Sequence, residues 1–176
     1  MQETGYHAMS VSALSERAEV SVGLIYQYFG GKEDVLQALI VDILEDFAAQ
    51  IPAQIEAAGP DPVDRLTSAV HASCRIIDLK QEAAVLAYRE SQTLDKEGRR
   101  KIMALELETS EPIRAAIRDG IASGVFRKVD VDLAAHNVLM IAHSWALKHW
   151  NLASRMTVQQ YAEAQTDLVL AALRPA

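Results

Sequence analysis

The chain has 176 residues, half of them hydrophobic and 23% charged, which excludes a disordered protein and leaves room for one ordinary domain or two small ones. Eight glycines and five prolines are too few for the many short strands of a sandwich or barrel. With 17 Lys and Arg against 24 Asp and Glu the net charge is −7, so any phosphate-binding surface has to be local.

Apolar runs fall well short of the roughly 18 residues of a membrane span, so no membrane partner is expected. The single cysteine, Cys74, excludes an internal disulfide and fits a reducing cytoplasm. The class these numbers predict is all-α.

In chain order, Gly5 and Tyr6 read as the end of a helix, and the spacing predicts that the natural protein has residues before Met1. Ser10 is a suitable N-cap for a short helix carrying Val11, Leu14 and Ala18. Glu19-Val20 ends it, and Ser21 caps a second short helix through Tyr28. Gly30-Gly31 breaks the chain, and a longer amphipathic helix runs from Lys32 towards Pro52. Gln50 to Pro62 is the clearest later break, with Asp61 or Asp64 capping the next helix. Helical pattern returns over 83–94 and 99–121, with Pro112 a kink or a new start. Two long glycine-free stretches, 132–152 and 158–173, close the chain.

Two short helices joined by a tight turn are the requirement of a helix-turn-helix, whose second helix lies in the major groove. Ser21 can cap that helix and donate to a phosphate, and Gly23 lets backbone approach DNA. Tyr26 and Tyr28 offer hydroxyls to phosphates, and Lys32 adds an ammonium at the next helix start. Leu14, Ile25 and Phe29 read as core.

The run Leu14 to Glu33, with Ala18, Val20-Ser21, Gly23, Ile25-Tyr26, Tyr28-Phe29 and Lys32-Glu33, resembles the DNA-binding domain of TetR-family transcriptional regulators. The resemblance implies an all-helical homodimer that binds a palindromic operator and lets go when a small ligand enters its C-terminal domain. It implies phosphate contacts at Ser10, Ser21, Tyr26, Tyr28 and Lys32, with Val22, Gly23, Leu24 and Gln27 facing the bases. The expected domains are 1–47, a three-helix DNA-binding unit with its first helix largely absent, and 48–176, for ligand binding and dimerisation. Glu19 stands where the family usually has a turn glycine, and Val22 and Leu24 replace more polar residues. Residues 1–47 hold Arg17 and Lys32 against eight acids, so this segment by itself should bind DNA poorly.

Residues 53–176 carry no catalytic signature, so the expectation is no enzyme and no cofactor. His71 and Cys74 are spaced to share a metal but lack a third ligand nearby, so no metal is expected. His136 and His143 share a helix face with Met140, either in the core and dimer interface or in a pocket. The segments around Tyr88-Arg89-Glu90, Ile113-Arg114, Gly120 to Arg127 and His143 to Lys148 are similar to family members that sense fatty acyl-CoA. That similarity implies a long apolar pocket lined by Leu86, Tyr88, Met103, Leu107, Ile117, Met140 and Trp145, with Arg89 or Arg114 meeting an acid group.

The last two long helices have apolar faces in excess of one subunit's needs. Leu133, His136, Val138, Met140, Ile141, Trp145 and Trp150 on the first, and Tyr161, Ala164, Leu168, Ala171 and Ala172 on the second, predict a four-helix dimer interface. The alternative is a helical small-molecule-binding protein or enzyme with a vestigial helix-turn-helix.

Overall fold

The computed structural model describes residues 11–175, which form ten α-helices and one 3-10 turn, Ser91–Thr93, with no strand among the described residues. In order these are α1 Val11–Arg17, α2 Val22–Tyr28, α3 Lys32–Ala57, α4 Pro62–Leu79, α5 Gln81–Glu90, α6 Lys96–Thr109, α7 Glu111–Ala122, α8 Val131–Leu147, α9 His149–Leu152 and α10 Val158–Leu173. The all-α class expected from the sequence is the class observed. The helix end at Gly5-Tyr6 and the cap at Ser10 lie outside the described residues.

Side-chain caps set most boundaries. Asp61 accepts from the Val63 amide at 2.7 Å, with Pro62 already in the first helical turn of α4. Asp95 caps α6 through Gly98 N–H, and Asp130 caps α8 through Leu133 N–H. Thr157 and Gln160 form a reciprocal capping box at α10. Asp95 therefore starts α6 at Lys96, three residues before the sequence pattern suggests. Pro112 opens α7 as a new helix, because Ser110 has already ended α6.

One expectation fails. Pro52 lies inside α3, and the break comes later, at Gly59 with φ +84. A proline costs one backbone hydrogen bond. Against that loss, Ile51 and Ile55 on either side of it are buried in the core.

Helix α4 is the centre of the molecule, packed by α3, α7, α8 and α10. Its Leu66, Val70, Cys74, Ile76 and Ile77 are fully enclosed, and Ser73 satisfies its hydroxyl on the Ala69 carbonyl. A second cluster joins Leu36 and Ile40 of α3 to Leu94 and Ile102, with Leu86 packed against it. The Gly120…Gly124…Phe126 pattern has a steric cause. Phe126 lies so close over Gly120 that a β-carbon there would meet its ring at 2.1 Å, and Gly124 turns the chain at φ +77.

Candidate functional site

Helix α1 ends in a Schellman turn: Val20 N–H bonds the Ser15 carbonyl and Glu19 N–H bonds that of Glu16. Glu19 takes the left-handed position at φ 55, a position glycine adopts without strain. The residue that replaces the family's usual glycine is thus the one non-glycine with positive φ among the described residues.

Ser21 then caps α2, its hydroxyl accepting from Leu24 N–H at 3.1 Å. Of the seven residues of α2 only Ile25 is buried. Val22, Gly23, Leu24, Tyr26, Gln27 and Tyr28 are all exposed, Tyr28 to 73%. Leu14 and Phe29 are half-buried beside it. An apolar and aromatic helix surface is thus left open to water on a short, capped helix. Asp34 reaches back to accept from Gly30 N–H at 2.7 Å and closes the turn between α2 and α3. Lys32 is the first residue of α3 and is half-buried.

At about 1.5 Å per residue, α3 is a rod roughly 39 Å long. It starts at the helix-turn-helix and ends in the main core with Phe47, Ile51 and Ile55 buried. Residue 47 lies within this single helix. Lys80 bridges α3 to the α4–α5 junction through Asp42 and Asp46, the latter at 2.8 Å. That ammonium holds the Asp46 carboxyl below its usual range.

The residues expected to line a pocket do not all face one space. Tyr88 and Met140 come together, with the Tyr88 hydroxyl 3.8 Å from Met140 Sδ and 2.5 Å from His143 Nδ1. Met103 and Leu107 are exposed on α6, and Arg89 is exposed on α5. Leu86 packs in the second core cluster, and Ile117 is fully buried in the main one. Trp145 is also buried, donating its indole N–H to Asp78 at 2.7 Å. Arg114 pairs with Asp132 at 2.8 Å and donates to the Leu107 carbonyl. Asp78, which the sequence pattern does not single out, shows no signal beyond its place on the polar edge of α4.

Among the residues expected at a dimer interface, Leu133, His136, Trp150, Ala164, Leu168, Ala171 and Ala172 are exposed. Met140 and Ile141 are half-buried. Val138, Trp145 and Tyr161 instead face inward. The Tyr161 hydroxyl donates to the Ile141 carbonyl at 2.8 Å and lies 2.6 Å from Ser144 Oγ, contacts that hold α10 against α8. Among the described residues no group of three or more His, Cys, Asp or Glu gathers as a metal site, and no helix is long and apolar enough to cross a membrane.

A capped, solvent-facing second helix after a tight turn, mounted on a rod that enters a helical core, defines a helix-turn-helix transcriptional regulator. Residues 1–39 match the family described as bacterial regulatory proteins, tetR family, and residues 59–173 match the tetracyclin repressor-like C-terminal domain. The chain belongs to the TetR family of transcriptional regulators.

Among its relatives, the HTH-type transcriptional regulator HbdR of Aromatoleum sp. (strain CIB) is 38% identical over 161 residues, 92% of this chain and 70% of that protein. The fatty acid metabolism regulator protein of Bacillus subtilis (strain 168) is 26% identical over 75% of this chain and 68% of its own length. In structure the chain is similar to the TetR-family regulator PfmR from Thermus thermophilus, with TM-score 0.86, 30% identity and coverage of 99% of this chain and 94% of that one.

Proposed function

We propose that this regulator is a cytoplasmic homodimeric repressor, without catalytic activity, that binds a palindromic operator and releases it when an acyl-thioester effector binds. In this reading residues 1–47 contact DNA and 48–176 bind effector and dimerise. The exposure of α2, on which only Ile25 is buried, is the observation that carries the DNA reading. Val22, Gly23, Leu24 and Gln27 meet base edges, the apolar pair suiting thymine methyls. Ser10, Ser21, Tyr26, Tyr28 and Lys32 take phosphates.

The effector reading is supported by the B. subtilis relative, whose name places it in fatty acid metabolism. It is also supported by the half-open group of Tyr88, Met140 and His143, where a polar anchor sits among apolar side chains. Leu86, Met103 and Leu107 are the apolar residues around which such a chain would be housed, and Arg89 would take its acid group, whereas Ile117 and Trp145 belong to the core and Arg114 to its pair with Asp132. Because α3 joins core to reader as one rod, a shift at its core end changes the spacing of two recognition helices across a dimer. The exposed faces of α8 and α10, with Leu133, Leu168 and three exposed alanines, support dimerisation there.

The test is binding of the protein to duplexes it enriches from a random-sequence pool, with and without long-chain acyl-CoA. Tyr26→Ala with Lys32→Ala should abolish binding at unchanged fold. Equal affinity of that variant sinks the DNA reading, and indifference to every acyl-CoA sinks the effector reading alone.

A further inference from the structure

Helix α6 opens with Lys96, Arg99, Arg100 and Lys101, four of the chain's 17 basic residues within six positions that also hold one acid, Glu97, in a protein carrying −7 overall. All four are exposed. None forms an ion pair among the described residues, whereas Arg65, Lys80, Arg114 and Arg118 are each paired with a carboxylate. Lys96 lies one helix turn from Arg99 and Arg100, like charges that repel, with only Glu97 placed one turn from Arg100 and Lys101 to offset them. A partner of opposite charge relieves that cost.

The fold decides where this charge sits. Leu94 and Ile102, on either side of the run, pack on Leu36 and Ile40 of α3. Gly98, between them, is buried against Gln37, whose Oε1 would stand 2.7 Å from a β-carbon there. Gln37 lies five residues along α3 from Lys32, a rise of about 7.5 Å. The run is therefore held beside the start of α3, to which α2 is joined through Phe29–Gly31. Arg100 and Lys101 share a cleft with Glu33 and Asp34, the acids of the first turn of α3, and with Asp95 and Glu97 from the start of α6 itself. Those acids, with Glu16 and Glu19, oppose phosphate at the reader. The basic run beside them comes from the middle of the chain, in the C-terminal domain.

We propose that Lys96, Arg99, Arg100 and Lys101 form an accessory surface for the sugar–phosphate backbone of DNA flanking the bases that α2 reads. The C-terminal domain thereby supplies the positive charge that residues 1–47 lack. The inference rests on the DNA-binding reading above. Its reach is electrostatic, acting over about 8 Å, one Debye length at physiological salt. The contact carries no sequence information, so it strengthens specific and non-specific binding alike.

The experiment measures affinity of the full-length protein across a salt series for two duplexes, one enriched from a random pool by the wild type and one unrelated. Replacing all four residues by Gln, a good helix former, should weaken binding to both duplexes by roughly tenfold or more near 0.1 M salt. The slope of log K against log salt should shrink by about 0.9 for each phosphate that the variant no longer neutralises. R99K/R100K, which keeps the charge, should keep the slope. A control removing equal charge elsewhere, R75Q/K128Q/K148Q/R155Q, should leave it unchanged.

Wild-type affinity and slope in the α6 variant overturn the proposal, including the case in which that variant has lost only its response to acyl-CoA. An equal loss in the control overturns it as well, since net charge and not position would then be acting. A wild type that binds neither duplex brings down the DNA reading and this inference together.

Discussion

The Tyr88 hydroxyl stands 2.5 Å from His143 Nδ1, and the two rings meet edge to face with centroids 5.4 Å apart. Burial, with the charge of Glu106 in addition, pushes the Tyr88 phenol up, so it stays protonated and donates. Burial, with His136 in addition, lowers His143 from 6.5 to about 4, so the imidazole stays neutral and accepts. Phe47 of α3 packs against the same imidazole at 6.1 Å, which links this pair to the rod that leads to the DNA reader.

This pair predicts a pH window. Above 6.5 His143 is neutral whether folded or unfolded, and it contributes no pH dependence. Between 6.5 and about 4 the unfolded chain binds a proton that the folded one refuses, so stability falls as pH falls. The full effect is of order 3 kcal/mol. Urea midpoints of wild type and His143→Phe, compared from pH 7 to 4, should converge as the pH drops. A constant difference across that range would show that His143 does not titrate this way.

Glu19 predicts a gain of function by simplification. A side chain at φ 55 costs about 1 kcal/mol that glycine does not incur. Glu19→Gly should therefore raise Tm by roughly 2–4 °C. The same change removes a negative charge two residues from the α2 cap, so duplex affinity should rise, most at low salt. Thermal melts and a salt series read the two effects separately.

Cys74 should be chemically silent. It is fully enclosed in α4, and burial, with Asp78 nearby, pushes its thiol up to about 12. A thiol-specific reagent at pH 8 should modify the native protein only at the rate of unfolding. Rapid labelling without unfolding would contradict the packing of α4.

Trp145 ties α8 to α4 through Asp78 at 2.7 Å and stacks near Tyr161, with centroids 5.1 Å apart. Trp145→Phe keeps most of the volume but strands the carboxylate, at a cost of about 1–3 kcal/mol. Trp145→Ala adds a cavity and should cost about 3–5 kcal/mol. Denaturant titration distinguishes the two, and a Trp145→Phe variant as stable as the wild type would mean that the hydrogen bond to Asp78 contributes nothing.

The local features of this protein were legible residue by residue. Ser21, Gly30 and the pattern from Leu14 to Lys32 mark the helix-turn-helix, because caps and turns are settled by atoms two to four positions apart. Glu19 was visible as a departure from the family pattern, and its φ of 55 is the physical content of that departure. The spacing of Leu66, Val70, Cys74 and Ile77 likewise marks the buried face of α4.

Tertiary structure decided what periodicity cannot carry, namely which of several apolar faces turns inward. Trp145 and Tyr161 could serve a pocket or an interface on spacing alone. Hydrogen bonds to Asp78 and to the Ile141 carbonyl, from residues 67 and 20 positions away, turn them into the subunit's own core. Pro52 reads as a stop until the burial of Ile51 and Ile55 outweighs one lost hydrogen bond. The net charge of −7 belongs to the sequence as a sum. Its distribution, with the basic start of α6 held beside the acidic start of α3, exists only because Leu94 and Ile102 pack on Leu36 and Ile40.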